Sequence, residues 1–234
     1  MIRLHFVVEG STEELFVNNI LQQHLAQFSV YADARRVKTG TKRVYNPATQ
    51  TRHTEKCKGG VDRYLKIRDD IRRWLNEDRS ENVRVTTMID LYQYPNDSPG
   101  YDDGEIVADS YLRVNILESA LAQDISDARF IPYLQVHEFD ALLFSSPDDF
   151  CIQYLDAAPV NIACLQNVLA AYNNNPELIN KNYNTIPSRQ IKACLGSYPK
   201  TSAGPAIAAA IGLERIRQRC RHFNEWLTRL ENLS

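Results

Sequence analysis

Hydrophobic positions in the first part of the chain switch between strand-like runs and helix-like stripes. Residues 4–8 form a short apolar run that stops at Glu9, and apolar side chains then recur at helical spacing over residues 15–25. Residues 29–37 alternate between apolar and polar side chains, which is typical of a half-buried strand. The chain is therefore predicted to begin with a strand, a helix and a second strand.

The same alternation continues further along the chain. Residues 61–76 carry an apolar stripe beneath a charged face and predict an amphipathic helix. Residues 83–89 are rich in β-branched side chains and predict a third strand, and a helix is expected over residues 106–123. Residues 129–136 predict a fourth strand, although a proline within it favours an edge position or a strand start.

These elements predict the class of fold and its division. Strands that alternate with helices pair in parallel through right-handed crossovers. We expect an α/β core over residues 1–146, with a parallel sheet of about four strands flanked by helices. After residue 147 the chain becomes polar and helical, with an alanine-rich helix over residues 206–220. We expect residues 147–234 to form a helical C-terminal portion packed on the core.

Composition narrows the class of protein further. The chain has 234 residues, of which 44% are hydrophobic and 24% charged, and these proportions are typical of a folded globular protein. No apolar stretch approaches the roughly 18 residues that span a membrane. The five cysteines are scattered and never form a C-x-x-C pair, so neither a disulfide framework nor a zinc knuckle is expected. We expect a protein of the reducing cytoplasm.

Positive charge is concentrated in one segment. The net charge of the chain is only -2, so affinity for nucleic acid would have to come from a local patch. Residues 38–60 lack periodicity and are interpreted as a long loop, which is either a nucleic-acid-binding segment or an ordinary solvated loop. The segment contains one acid, Glu55, and six cationic residues. These are Lys38, Lys42, Arg43, Arg52, Lys56 and Lys58.

Acidic residues follow three of the predicted strands. Glu9, Asp90 and Glu138 each stand at a strand end, and the carboxyl ends of parallel strands meet at the edge of the sheet where ligands bind. Glu13 lies one helical turn beyond Glu9. Converging carboxylates repel one another, and a hard cation such as Mg²⁺ or Mn²⁺ relieves that repulsion. Taken singly, Glu13 also fits a first-turn helix acid and Asp90 a turn residue.

Several segments resemble known families. Residues 8–16, Val-Glu-Gly-Ser-Thr-Glu-Glu-Leu-Phe, resemble the first motif of Toprim nucleases of the OLD (overcoming lysogenization defect) type. Residues 88–92 with the turn at 95–100, residues 136–144 and residues 220–227 resemble the bacterial family DUF4276, which is usually placed among Toprim-like proteins. The resemblance spans almost the whole chain and implies a Toprim-like (Rossmann-like) fold.

The resemblance implies a metal-dependent nuclease of DNA or RNA, often encoded beside an ATPase of the ABC or AAA type in anti-phage defence loci. It implies that Glu9, Glu13 and Asp90 are metal ligands, that Glu138 and Asp140 support a second ion, and that Lys200 assists the phosphate. Glu9, Asp90, Glu138 and Lys200 would then be catalytic. The chain has no P-loop motif, so any ATP dependence would come from a partner.

Tyr92 departs from the Toprim pattern, because the family places a second aspartate there. Asp97 or the Asp102–Asp103 pair could replace it, or the second metal binds weakly or not at all. A catalytically weakened module that binds nucleic acid or an ATPase partner therefore stays open as the alternative function. A small-molecule phosphoesterase, and a homo-oligomer, stay open as well.

His137 and the tyrosines near the predicted site each have two interpretations. His137 is a general base or phosphate donor in one and a structural hydrogen-bonding residue in the other. If the tyrosines bind nucleic acid, they would stack on bases; if they are structural, they would pack in the core. The residues concerned are Tyr92, Tyr94 and Tyr101.

Overall fold

A computed structural model describes residues 1–37, 41–46, 51–56, 61–154, 159–180 and 183–233, with the backbone alone at 41–46, 51–56 and 183. The strands are β1 (Ile2–Val8), β2 (Val30–Arg36), β3 (Thr41–Asn46), β4 (Thr51–Lys56), β5 (Val83–Asp90), β6 (Phe130–Ile131) and β7 (Leu134–Gln135). The main sheet has the order β2-β1-β5-β6, and β7 pairs with β5 beyond β6. Every pairing in it is parallel, which confirms the predicted α/β class.

The helices connect and cover these strands. They are α1 (Ser11–Phe16), a π-helical turn (Val17–Leu21), α2 (Gln22–Ala26), α3 (Tyr64–Glu77), α4 (Tyr101–Glu105), α5 (Ser110–Ile125), α6 (Pro159–Ala170), α7 (Pro187–Leu195), α8 (Lys200–Ile211), α9 (Leu213–Arg219) and α10 (Arg221–Glu231). Four 3₁₀ turns lie at Phe139–Ser145, Pro147–Ile152, Pro176–Leu178 and Tyr183–Thr185. The predicted helical C-terminal region is confirmed, and the boundary after residue 146 stays a prediction.

The predicted fourth strand is present as two short strands that Pro132 separates. Proline has no N–H to donate to a sheet ladder. Two threonines of β5 replace the missing ladder contacts with their side chains. Thr86 Oγ1 donates to the Ile131 carbonyl at 2.7 Å, and Thr87 Oγ1 donates to the Tyr133 carbonyl at 2.7 Å. The chain therefore stays parallel to β5 across the interruption and delivers residues 136–138 to the carboxyl edge of the sheet.

The predicted long loop at residues 38–60 contains regular structure. Strands β3 and β4 pair antiparallel, from Thr41 opposite Lys56 to Asn46 opposite Thr51. The interpretation as an unstructured loop was therefore wrong for these two stretches. The reason is that a two-stranded hairpin can form by backbone pairing alone, without the apolar alternation that predicts a strand buried on one face.

Both faces of the central strands β1 and β5 are buried, whereas the edge strand β2 alternates between buried and exposed residues. Alternate residues of β1 point to different cores: Phe6 and Val8 join a cluster with α1, α2 and the C-terminal helices, whereas Val7 joins a cluster with α3 and α5. Trp226 of α10 stacks on Tyr133 with ring centroids 3.9 Å apart. The C-terminal helices therefore cover one face of the sheet.

The alanine-rich helix differs from its predicted bounds. It starts at Lys200, six residues before the predicted start, and contains Pro205 within its first two turns. It ends at Ile211, because the positive φ of 79° at Gly212 breaks the helix before α9 begins. The early start places Lys200 in the first turn of α8.

A disulfide joins Cys164 of α6 to Cys194 of α7, with Cα atoms 5.6 Å apart. The expectation that the scattered cysteines would form no disulfide was therefore wrong for this pair. Cysteine spacing along the chain carries no information about two helices that pack together in space. No helix of the described residues is long and apolar enough to cross a membrane.

Candidate metal centre

The carboxyl ends of β1 and β5 place Glu9 beside Asp90. These strands are adjacent and parallel, with Val8 opposite Met88. Glu9 Oε2 accepts a hydrogen bond from the Asp90 backbone N–H at 3.1 Å. Two acids that are far apart in the sequence therefore meet at the edge where the sequence predicted a site.

Glu13 reaches the same edge from the first turn of α1. Its Oε2 accepts the Gly10 backbone N–H at 2.9 Å, and the side chain is almost fully buried. A Cβ atom at position 10 would lie 3.1 Å from that oxygen, so glycine fits the turn between β1 and α1 most easily. The carboxylate therefore folds back toward the strand end, as its spacing from Glu9 predicted.

Glu138 and Asp140 come from the segment that follows β7. The backbone N–H of Phe139, between them, donates to Asp90 Oδ1 at 2.9 Å. Glu138 Oε2 accepts the Ser188 backbone N–H at the start of α7 at 3.0 Å. Both acids are buried, and Asp140 has no exposed surface at all. The 3₁₀ turn at Phe139–Ser145 thus fixes both carboxylates against the end of β5.

Lys200 places its ammonium group among these acids. Its Nζ lies 2.7 Å from Asp140 Oδ2 and 3.7 Å from Asp90 Oδ2. Gly204, one turn further along α8, allows this approach, because a Cβ there would lie 3.2 Å from Thr12 Cγ2 of α1 and 3.1 Å from the Tyr198 hydroxyl. Close packing of α1 on α8 therefore holds the lysine over the strand ends.

We call the group formed by Glu9, Glu13, Asp90, Glu138, Asp140 and Lys200 the acidic centre. All six residues were predicted as site residues, and the structure brings them together. Their roles in metal binding and catalysis stay predictions.

Burial makes the negative charge of the acidic centre costly. Burial, together with the charge of Glu13, raises the pKa of Glu9 from 4.5 to about 7. Burial also raises the pKa of Glu13 and of Glu138, and it raises that of Asp90 strongly, although Lys200 opposes each of these shifts. Burial disfavours the charge of Lys200, but Asp140 and Asp90 overcome that effect and raise its pKa. One ammonium therefore offsets only part of the charge of five carboxylates.

The donor chemistry of the acidic centre fits a hard divalent cation. Glu9, Glu13, Asp90 and Glu138 each use one oxygen to accept a backbone N–H, and the other oxygen of Asp90 lies 3.7 Å from Lys200 Nζ. Mg²⁺ and Mn²⁺ favour such an all-oxygen set. Within the described residues, however, no three His, Cys, Asp or Glu side chains already stand in a metal-binding arrangement. Binding would require the carboxylates and Lys200 to rearrange.

The three residues suggested as replacements for the second Toprim aspartate have other positions and contacts. Asp97 Oδ1 accepts the Tyr64 backbone N–H at 2.8 Å and so caps the start of α3. Asp102 and Asp103 are exposed in the short helix α4. None of the three makes a contact with the acidic centre in the described part of the chain.

The basic residues lie outside what the structure describes in side-chain detail. Lys42, Arg43, Arg52 and Lys56 belong to the β3–β4 hairpin, whose backbone alone is described, and Lys38 and Lys58 lie outside the described residues. Their contact with nucleic acid stays a prediction.

Two residues that support the acidic centre were not identified from the sequence. The Tyr198 hydroxyl donates a hydrogen bond to Asp140 Oδ1, and the Ser188 backbone N–H donates to Glu138 Oε2. Both belong to the C-terminal region and are separated from their partners by 50 or more positions. The one available signal was the position of Tyr198 two residues before Lys200, which is too weak to select it, and nothing in the sequence pointed to Ser188.

Comparison with known proteins gives one match. No curated protein and no solved structure matches this chain. Residues 8–231 match the family described as a domain of unknown function, DUF4276, and the match covers nearly the entire chain, including every member of the acidic centre. The chain therefore belongs to the DUF4276 family.

Proposed function

We propose that this protein is a Toprim-like, divalent-metal-dependent nuclease that hydrolyses phosphodiester bonds of DNA or RNA in the cytoplasm. The observation that carries the proposal is the acidic centre, in which five carboxylates share one ammonium at the carboxyl edge of a parallel sheet. A structural ion-pair network would balance its charges, because unbalanced buried charge is costly. This cluster has one ammonium for five carboxyl groups, and burial and mutual repulsion raise the pKa of four of them, a cost that a multivalent cation would relieve.

Glu9, Glu13 and Asp90 would hold the first Mg²⁺ or Mn²⁺ ion, and Glu138 with Asp140 would support a second. When bound, such an ion activates a water molecule and stabilises the leaving oxygen of a phosphodiester. In the overall reaction, water adds to phosphorus, the P–O bond to the leaving oxygen breaks, and that oxygen gains a proton. Lys200 already carries a firmly held positive charge at the site, which suits it to contact the phosphate.

The substrate would approach across the carboxyl edge of the sheet. Arg36 ends β2 on that edge, is exposed, and pairs with Glu14 at 3.0 Å. The basic residues of segment 38–60 follow directly in the chain. Cations of this kind supply the sequence-independent part of nucleic-acid affinity.

A cleavage assay with matched variants tests the proposal. Purified protein is incubated with plasmid, single-stranded DNA and RNA in Mg²⁺, Mn²⁺ or EDTA. Wild type is expected to cut at least one substrate in metal only, and Asp90→Asn is expected to lose 100-fold or more of the rate, on the order of the effect of removing one charge-stabilising group. Glu81→Gln, at an exposed carboxylate beside the amino end of β5, is the control and should cut like wild type. Metal-independent cutting, or full activity of Asp90→Asn, would exclude the proposal.

A second candidate function is a weakened Toprim module that binds nucleic acid, or an ATPase of the ABC or AAA type, without cutting. Two observations favour it: Lys200 lies among the carboxylates, and Tyr92 occupies the position of the second family aspartate. For such a module the same assay should show no cutting by wild type in any metal. A gel-shift or pull-down assay should then show binding that Asp90→Asn leaves intact.

A further inference from the structure

A polar pocket of about 410 Å³ opens next to the acidic centre. We call it the His137 pocket, and the residues that matter here are Tyr92, Gln93, Tyr101, Ser110, His137 and Asn180. Tyr92 lies two residues after Asp90, and His137 immediately precedes Glu138. The Tyr92 backbone N–H donates to the His137 carbonyl at 2.8 Å, which joins the two chain segments that run from the pocket into the acidic centre.

His137 has an unusual backbone conformation for its position. Its φ is 62°, in the left-handed region that non-glycine residues seldom adopt. Among the non-glycine residues of the described chain with such a backbone, His137 is the one that is buried; the others are exposed. Such strain persists where the surrounding structure fixes it and is common at binding sites. Here it directs the imidazole into the pocket wall while Glu138 turns into the acidic centre.

Hydrogen bonds hold this imidazole from two sides. His137 Nε2 lies 3.3 Å from Ser110 Oγ of α5, and His137 Nδ1 lies 3.2 Å from Asn180 Nδ2. Asn180 Oδ1 is shielded from solvent and has no hydrogen-bond partner in the described part of the chain. A buried amide oxygen without a partner is costly, so it indicates a missing donor. A rotation of the amide that turned this oxygen into the pocket would let a ligand N–H group supply that donor.

Charge does not dominate the pocket. Its cation, Arg113, pairs with Glu105 at 2.7 Å. The remaining polar groups are neutral amides, hydroxyls and an imidazole, and the aromatic residues Tyr92 and Tyr101 line the pocket beside them. Neutral donors and acceptors beside aromatic rings are the chemistry by which proteins hold an unstacked nucleobase, through its hydrogen-bonding edge and its flat face. The volume lies in the range of small-ligand pockets.

We propose that the His137 pocket binds a nucleobase, with Asn180, Ser110 and His137 reading its polar edge. This assignment rests on the proposed nuclease function. The base would belong to a nucleotide next to the phosphate held at the acidic centre. Tyr92, which stands where the family has a second aspartate, would then be a base-contacting residue.

Binding of free nucleosides in EDTA tests the pocket without metal or cleavage. Adenosine, guanosine, cytidine and uridine are each titrated into the full chain and followed by saturation-transfer NMR, with ribose 5-phosphate as the comparator that lacks a base. At least one nucleoside is expected to bind, and ribose 5-phosphate is not. Asn180→Leu and Ser110→Ala should each weaken that binding about tenfold, which corresponds to one hydrogen bond of about 1.4 kcal/mol.

Two controls keep the outcomes separate. Asn115→Leu changes an exposed asparagine elsewhere on α5 and should bind nucleosides like wild type. Asp90→Asn should also keep nucleoside binding, because it acts on the acidic centre.

If no nucleoside binds, or if Asn180→Leu and Ser110→Ala bind as tightly as wild type, the pocket proposal is wrong even when the chain cuts nucleic acid. If nucleosides bind as expected but wild type cuts nothing, the pocket stands and the proposed nuclease function fails.

Discussion

Buried carboxylates at two places in this protein accept different numbers of hydrogen bonds. Glu177 is fully buried and accepts three hydrogen bonds at 3.0 Å, from the backbone N–H groups of His222 and Phe223 and from the Tyr111 hydroxyl. Glu9, Glu13 and Asp90 each accept one backbone N–H and share a single lysine with two further acids. Burial raises the pKa of Glu177 as well, but Glu177 has three donors of its own, whereas each acid of the second set has one backbone donor and a shared ammonium.

The difference separates a structural carboxylate from those that we propose to be functional. Glu177 caps the amino end of α10, where the helix dipole favours negative charge, so it stabilises the packing of that helix. The acidic centre concentrates like charges and gains little from its own hydrogen bonds. A fold tolerates such an arrangement where a ligand relieves it.

The largest stability effect is expected at Glu177. Glu177→Gln replaces a charged acceptor of three hydrogen bonds with a neutral amide whose NH₂ faces backbone donors. The free energy of unfolding should fall by about 3 kcal/mol in a urea titration. Glu225→Gln, at an exposed acid of the same helix paired with Arg221, is the control and should change it by less than about 0.5 kcal/mol. Equal effects of the two variants would show that Glu177 is not a structural cap.

Lys200→Met should expose the imbalance of the acidic centre. Without the ammonium, carboxylates are left beside one another, and in EDTA at pH 8 the free energy of unfolding should fall by about 2 kcal/mol. Saturating Mn²⁺ should restore most of that loss, because the ion supplies the missing positive charge. Differential scanning calorimetry with and without Mn²⁺ measures both effects. A loss that Mn²⁺ leaves unchanged would mean that the lysine is a purely structural partner.

Glu9→Gln should stabilise the metal-free protein at high pH. The pKa of Glu9 is raised from 4.5 to about 7, so its folded form binds the proton more tightly than the unfolded form does. Tighter proton binding by the folded form adds to the free energy of unfolding. This contribution is fully present below pH 4.5 and is lost as the pH rises through about 7. In EDTA at pH 8 the variant should therefore be about 1–2 kcal/mol more stable than wild type, less than the roughly 3 kcal/mol that the full shift represents.

At pH 4 the same two proteins should be nearly equal in stability, because Glu9 is protonated in both states. Thermal unfolding across pH 4–8 measures the trend. A wild-type stability that rises through pH 5–7 relative to Glu9→Gln would reverse the sign and contradict the shift.

The smallest effect is expected at Tyr198. Tyr198→Phe removes the hydroxyl that donates to Asp140 and should lower the free energy of unfolding by about 1 kcal/mol. Tyr154→Phe removes a hydroxyl that donates to the Ser197 carbonyl at 3.1 Å near the surface and should have a smaller effect in the same urea titration. If Tyr154→Phe proved the more damaging, Tyr198 would have no special part in holding Asp140.

The strand ends were predictable from sequence, and the groups that surround them were not. Glu9 and Asp90 follow apolar runs, so local pattern and parallel pairing were enough to place them together. Tyr198 and Ser188 reach the acidic centre only because α7 and α8 pack against it, and no local pattern encodes that packing. The disulfide between Cys164 and Cys194 was missed for the same reason.

By itself, the sequence determined the chain order of the strands and helices that build the main sheet, the parallel pairing and the edge at which the acids would collect, because these follow from hydrophobic periodicity and the handedness of crossovers. Tertiary structure alone decided that Lys200 lies among five carboxylates, that Glu177 accepts hydrogen bonds from α10 and Tyr111, and that His137 and Asn180 share a pocket wall. Each of those contacts joins segments far apart in the chain. Their energies depend on burial and on distances of a few ångströms, which only the packed fold sets.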